Sequence, residues 1–259
     1  MTDTTASAGL DIGRVIQETF QVLGRHLVTF LILALILVGI PRALLGVVQV
    51  SMLSTAVATM TFGGPVLYWG LLGLLVSVVT SVILQATIIS GAASDMNGRP
   101  VSVTDSLRIG LRAFLPLIGL SILLGIAVWF GFLLLIVPGV LMALAWCVAV
   151  PVYVVEQPGV FASFERSAEL TRGNRLRIFG LACLFFVAGI IISIVFGIVG
   201  GILRFATAGV FLYVQAAILS PIIGAAVAAL GATLSAVLYV ELRRVREGAG
   251  PQGLAAIFD

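Results

Sequence analysis

The side chains able to do chemistry in this sequence are few and mostly cationic. Among 259 residues there are 14 cationic side chains, every one an arginine, 11 acids, one histidine (His26) and two cysteines (Cys147 and Cys183). A lone histidine removes most metal and histidine-based catalytic chemistry, and no Cys-x-x-Cys spacing supports zinc. One cationic cluster is Arg172, Gly173, Asn174, Arg175 and Arg177. Gly173 suits the position after a helix end, where the chain turns left-handed, and Asn174 suits the cap of the next helix. Arginines in the first turn of that helix oppose its dipole, which favours negative charge there. A lipid phosphate would relieve the conflict, because a helix N-terminus and an arginine fork both accept anions. The cluster reads either as an anionic head-group site or as ordinary positive anchoring at the membrane surface.

A second set of polar groups falls within or beside long apolar runs: Arg42, Gln49, Gln85, Gln215 and Glu156. Ser77, Thr80, Ser81 and Thr87 make the second run the most polar. Such groups act as glue between helices, worth about 0.6 kcal/mol each, or they mark a pathway. Arg42 lies roughly 22 Å beyond Leu27 at ~1.5 Å per residue, so it is expected to snorkel to the outer interface. No acid lies deep in a run, so the carboxylate usual in an ion-coupled carrier is missing. No nucleophile-elbow, HExxH or aspartate-pair motif falls in the runs. The expectation is a non-enzymatic protein without cofactor or metal. His26 is expected at the membrane entry, and both cysteines as small buried hydrophobes.

The elements that position these residues follow from composition. Hydrophobic residues make up 61% of the chain and charged ones 10%, against roughly 25% charged in a soluble domain. That excludes a water-soluble fold and a nucleic-acid-binding domain and predicts an all-α polytopic membrane protein. Six runs are long enough to span, at about 20 apolar residues each: Leu27 to Val50, Val66 to Ala93, Phe114 to Val137, Val140 to Val155, Leu176 to Leu203, and Val210 to Leu242. Residues 1–26 form a charged N-terminal segment, 27–242 the six-helix domain and 243–259 a C-terminal tail. The first run exceeds a signal-peptide core, so it is expected to remain as a helix. Ser51 to Phe62 reads as a connection, and Pro138-Gly139 as the turn between the third and fourth spans. All arginines except Arg42 and Arg204 fall in the N-terminus, second loop, fourth loop and C-terminus. The positive-inside rule then predicts a bacterial inner-membrane protein with both termini cytoplasmic.

Asp11 to His26, Ser102 to Ala113 and Val160 to Arg175 each read as a cytoplasmic amphipathic helix leading into an odd-numbered span, with Gly24, Gly110 and Gly173 near their ends. They suggest a threefold repeat of interfacial helix plus hairpin, although any loop joining two spans tends to be amphipathic. In the third segment Phe161, Phe164 and Ala168 share the apolar face. The fifth span places Gly189, Ser193, Gly197 and Gly201 at four-residue spacing, and the sixth places Gly224, Ala228, Ala232 and Ala236 likewise. Small residues on one face predict a tight contact between these two helices, or a homodimer contact through one of them.

One stretch carries a family resemblance. It combines Pro138-Gly139-Val140, Ala149-Val150-Pro151-Val152, Glu156, the run Phe164-Glu165-Arg166-Ser167-Ala168-Glu169-Leu170-Thr171-Arg172-Gly173-Asn174, and Arg177-Ile178-Phe179-Gly180-Leu181. This resembles the membrane domain of the glycerophosphoryl diester phosphodiesterase family and related bacterial integral membrane proteins. Thr19-Phe20, Gly24 and Phe30 also fit that family's opening helix. The resemblance implies a membrane-domain member without the soluble catalytic barrel, and so without the enzyme's activity. The functional expectation is a protein that binds or organises anionic membrane lipid, or a membrane partner. The alternative is a small transporter or channel with a polar pathway along the second helix, near Gln85 and Gln215.

Overall fold

The computed structural model describes residues 9–60, 63–96, 98, 102–206 and 210–247, the side chains of 204–206 excepted. Arg99, the Arg204 side chain, residues 1–8 of the N-terminal segment and residues 248–259 of the tail lie outside the described residues. Within them the chain is all-α: α1 (Ile12–Arg25), α2 (Leu27–Thr59), α3 (Gly64–Met96), α4 (Val103–Leu134), α5 (Ile136–Glu156), α6 (Val160–Thr171), α7 (Arg175–Ala206) and α8 (Val210–Glu247). Six of these, α2 to α5, α7 and α8, are long and apolar enough to cross a membrane. The core lies between α2, α3, α4 and α8, where Phe30, Ile88, Ile89, Leu117, Tyr239 and Leu242 are fully buried. In α7 the most apolar stretch is 0% buried, so this helix is peripheral.

Several helix ends differ from the sequence expectation, each for a local reason. The hydroxyls of Ser51, Ser54, Thr55 and Thr59 donate to carbonyls three or four residues behind them. The helix satisfies its own polar residues, so α2 continues nine residues past Val50 to Thr59 and stops where Met60 turns left-handed at φ 53°. Ser102 caps α4 by accepting from the Asp105 amide at 3.3 Å, and α4 then runs unbroken to Leu134. The segment from Ser102 to Ala113 is therefore the opening of a span, not a separate interfacial helix. The break before α5 falls at Leu135 (φ −167°, ψ 152°), ahead of Pro138-Gly139, which sit in α5's first turn, where proline is tolerated. Gly139 serves a close approach instead: a Cβ there would lie 2.6 Å from the Phe132 ring.

Pro41 and Pro221 each follow a π-helical turn, Leu35–Gly39 and Gln215–Leu219. A proline gives no N–H to the turn behind it, and the widened turn absorbs that defect. The helix α5 breaks between Ala145 and Ala149. There α6 docks, with Ser167 and Thr171 donating to the freed Ala145 carbonyl at 2.9 and 3.3 Å. Its buried face is accordingly Ser163, Ser167, Leu170 and Thr171, not the Phe161–Phe164–Ala168 stripe. Phe161 is exposed, and Phe164 stands edge-on to Trp146 at 5.2 Å.

The expected ridge contact is not made. Nothing lies within 4 Å of a Cβ built on Gly189, Gly197 or Gly201. Ser193 instead lines a cavity of about 460 Å³ between α7 and α8. The buried stripe of α8 includes Ala225, Ala229, Ala232 and Ala236, so its first half is rotated by one residue from Gly224 and Ala228. The three glycines of the proposed repeat also differ in use. Gly24 faces open space, Gly110 lets α4 approach Ile83 and Thr87 of α3, and Gly173 turns left-handed at φ 89°. Cys147 is half-buried, whereas Cys183 is exposed on α7.

Candidate functional site

Four segments meet at one end of the bundle, and charge holds them there. Asp95, at the end of α3, takes Arg25 at 2.9 Å and His26 at 3.0 Å. Glu18 of α1 and Glu241 of α8 share Arg14 and Arg244, at 2.6 to 3.5 Å. Glu156 ends α5 as part of a third network, not as an isolated intramembrane acid. It accepts from Tyr239 at 2.8 Å and from Arg166 Nε at 3.2 Å, and Arg166 also pairs with Glu169 and Glu247. Exposed pairs contribute about 0–1 kcal/mol each. Their structural use is to tie the N-terminal helix, the end of α3, the fourth loop and the end of α8 into one charged face.

The arginine loop lies on that face. Gly173 adopts the left-handed turn expected of it. Asn174 is drawn into a tertiary contact: its buried Oδ1 accepts from the Leu10 amide at 3.0 Å. Arg177 Nη1 donates to the Leu10 carbonyl at 3.0 Å and occupies the space a side chain at Gly9 would need. Both polar groups of Leu10 are thus gripped from a loop 164 residues away. Arg172 is exposed and Arg175 keeps a buried Nε without a hydrogen-bond partner. Of the five residues read as one head-group site, two hold the N-terminal segment and two arginines remain to meet a ligand.

The intramembrane residues divide. Arg42 does not snorkel. Its Nη2 donates to Ser77 of α3 at 3.0 Å, and its Nη1 lies 2.7 Å from the place a Cβ on Gly224 of α8 would take. Gly224, read as a ridge residue, makes room for a guanidinium. Gln49, two turns further on, donates to the Trp69 carbonyl at 3.0 Å and fills the space over Gly73. Gly46 lets α2 pass close to the π turn of α8: a Cβ there would lie 3.1 Å from the Ala216 carbonyl oxygen. Arg42, Gln49 and Ser77 line a cavity of about 530 Å³ between α2 and α3, bordered by Ser220. An arginine at the centre of a span costs about 2.5–3.5 kcal/mol on insertion scales. Among the described residues no carboxylate offsets that cost for Arg42. Gln85 and Gln215 are not gathered into this site: Gln215 lines the cavity against α7, and Gln85 sits eight residues beyond Ser77, about 12 Å along α3.

The chain matches no family model, no curated protein and no solved structure.

Sequence reasoning missed Tyr239 and Arg166 as partners of Glu156, and Ser77 and Gly224 as partners of Arg42. The tight spacing of Gly70 and Gly73 opposite Gln49 was the one available signal for the cavity. Nothing in the sequence pairs Arg42 with a glycine on the last helix.

Proposed function

We propose that this is a non-enzymatic protein of the bacterial inner membrane that binds anionic lipid at its arginine-rich face. That face, with both termini, would be cytoplasmic by the positive-inside rule. The reading agrees with the resemblance to the phosphodiesterase membrane domain, a part that would act without the catalytic barrel. The observation that carries it is a division among the arginines. Arg14, Arg25, Arg166, Arg243 and Arg244 are paired with carboxylates. Arg108, Arg112, Arg172, Arg175, Arg177 and Arg246 have no ion pair among the described residues, and five of these six are exposed. Charge that the protein leaves unneutralised at a membrane surface attracts acidic head groups at about 1 kcal/mol per arginine.

The test is native mass spectrometry after gentle extraction, with phosphatidylglycerol retention as the readout. Arg172 and Arg175 are changed together, and Arg177 is spared because it holds Leu10. The double Gln variant should lose retained lipid, and unchanged retention would overturn the reading. The double Lys variant keeps the charge but not the two parallel hydrogen bonds. Lipid lost from it shows fork recognition, and lipid retained shows charge attraction alone.

A further inference from the structure

We propose that the cavity between α2 and α3 is a second ligand site, specific for an amphiphile with an anionic head, seated on Arg42. The site is distinct from the charged face. Arg42 lies roughly 22 Å along α2 from Leu27 at ~1.5 Å per residue, in the far third of a hydrocarbon core about 30 Å thick.

Three observations converge. The first is unspent binding capacity. A guanidinium carries five N–H donors, and among the described residues Arg42 makes one side-chain hydrogen bond, to Ser77, and no ion pair. The second is pre-organisation. Arg42 follows Pro41 and the π turn of α2, and Gly224 leaves its guanidinium a seat against α8. The cation is held at the cavity wall rather than at an interface. The third is the shape and lining of the space. At about 530 Å³ it falls within the ordinary range for small-molecule sites, about 300–1,000 Å³. Its walls beyond the arginine include Leu45, Leu53, Val66 and Leu74. Leu53 and Leu74 are exposed, so the apolar wall of the cavity reaches the outside of the helix bundle. A cation at one end, the Gln49 amide beyond it and an apolar wall that reaches the surface of the bundle match a carboxylate or phosphate head with an alkyl chain. A free inorganic anion would leave the apolar wall unused.

The cavity carries its own reporter, because Trp69 lines it. The experiment uses the full chain with Trp129→Phe and Trp146→Phe, leaving one tryptophan, in phosphatidylcholine vesicles. Trp69 fluorescence is titrated with a dibrominated fatty acid, with dibrominated phosphatidylglycerol, and with dibrominated phosphatidylcholine as the zwitterionic control. At least one anionic quencher should saturate at a membrane fraction about tenfold or more below the control, the scale of one charge-assisted hydrogen bond. Which one does so distinguishes a free fatty acid from a phospholipid head. Arg42→Gln should abolish the preference. Gly224→Ala should weaken it while the fold holds, since its new methyl displaces only the flexible end of Arg42; this variant carries the test if Arg42→Gln does not fold. Identical curves for anionic and zwitterionic quenchers in the parent protein would overturn the site. So would a preference that survives both variants.

Discussion

The contrast between Gly110 and Gly197 puts the corrected packing to a quantitative test. Both are interior glycines of long spans, and replacing either with alanine removes the same helix-propensity penalty, about 0.8–1.0 kcal/mol in favour of alanine. Their surroundings differ. A Cβ on Gly110 would lie 2.6 Å from Thr87 Oγ1 and 2.9 Å from the Ile83 carbonyl oxygen, whereas nothing lies within 4 Å of one on Gly197. The Ile83 oxygen is backbone, and Thr87 is held by donating to that same carbonyl at 2.7 Å, so neither swings away. Relief requires α3 and α4 to separate, and overpacking of this kind costs about 1–3 kcal/mol. Because propensity cancels between the two variants, that cost is their difference. At roughly 2–4 °C per kcal/mol for a chain of this size, Gly110→Ala should melt roughly 2–12 °C below Gly197→Ala in detergent, and Gly197→Ala should melt at or above wild type. The assay is thermal unfolding of the three proteins under one condition. Equal shifts for both variants would refute the close approach at Gly110. A loss at Gly197 would restore a packing role to the α7 ridge.

Three further outcomes are expected. Asn174→Ala leaves the buried Leu10 amide unpaired, a loss of about 1–3 kcal/mol, and should raise hydrogen exchange across α1 before other helices; unchanged protection there would remove the contact. Gly173→Ala should destabilise by about 1–2 kcal/mol because its φ of 89° is left-handed, while Gly173→Asn should cost less; equal thermal losses would place the strain elsewhere. Reporter fusions after residues 60, 97, 138, 170, 206 and 255 should alternate out, in, out, in, out, in. An external signal after residue 97 or 170 would break the six-span topology.

The six spans were legible because a bilayer demands long apolar runs, and composition announces them. Their ends were not, because a serine or threonine inside a helix can bond back to its own backbone, as Ser51 to Thr59 do. Polarity there looked like a connection and was a helix. The small-residue ridges misled for a related reason. Spacing shows which residues share a face but not whether that face meets protein or lipid, and α7 has nothing against its glycines. At the arginine loop the left-handed turn at Gly173 was readable from residue type. The capture of Leu10 by Asn174 and Arg177 was not, since it joins segments with no local pattern in common. The same holds for Arg42, whose depth was computable from the chain but whose direction depended on a gap left by Gly224.

The grip on Leu10 also sets a clock for biosynthesis. Its partner Asn174 lies 164 residues downstream, and a chain grows at about 5–20 residues per second. Leu10 is therefore made roughly 8–33 s before the residue that fastens it. For that interval the side of α1 bearing Val15, Thr19 and Val22 lacks its anchor, while four spans are already threading into the bilayer. Closure of the N-terminal segment is then a late step. A chain stalled or cut before Asn174 would hold its spans in the membrane with the opening helix tied only at its far end, where Arg25 and His26 meet Asp95.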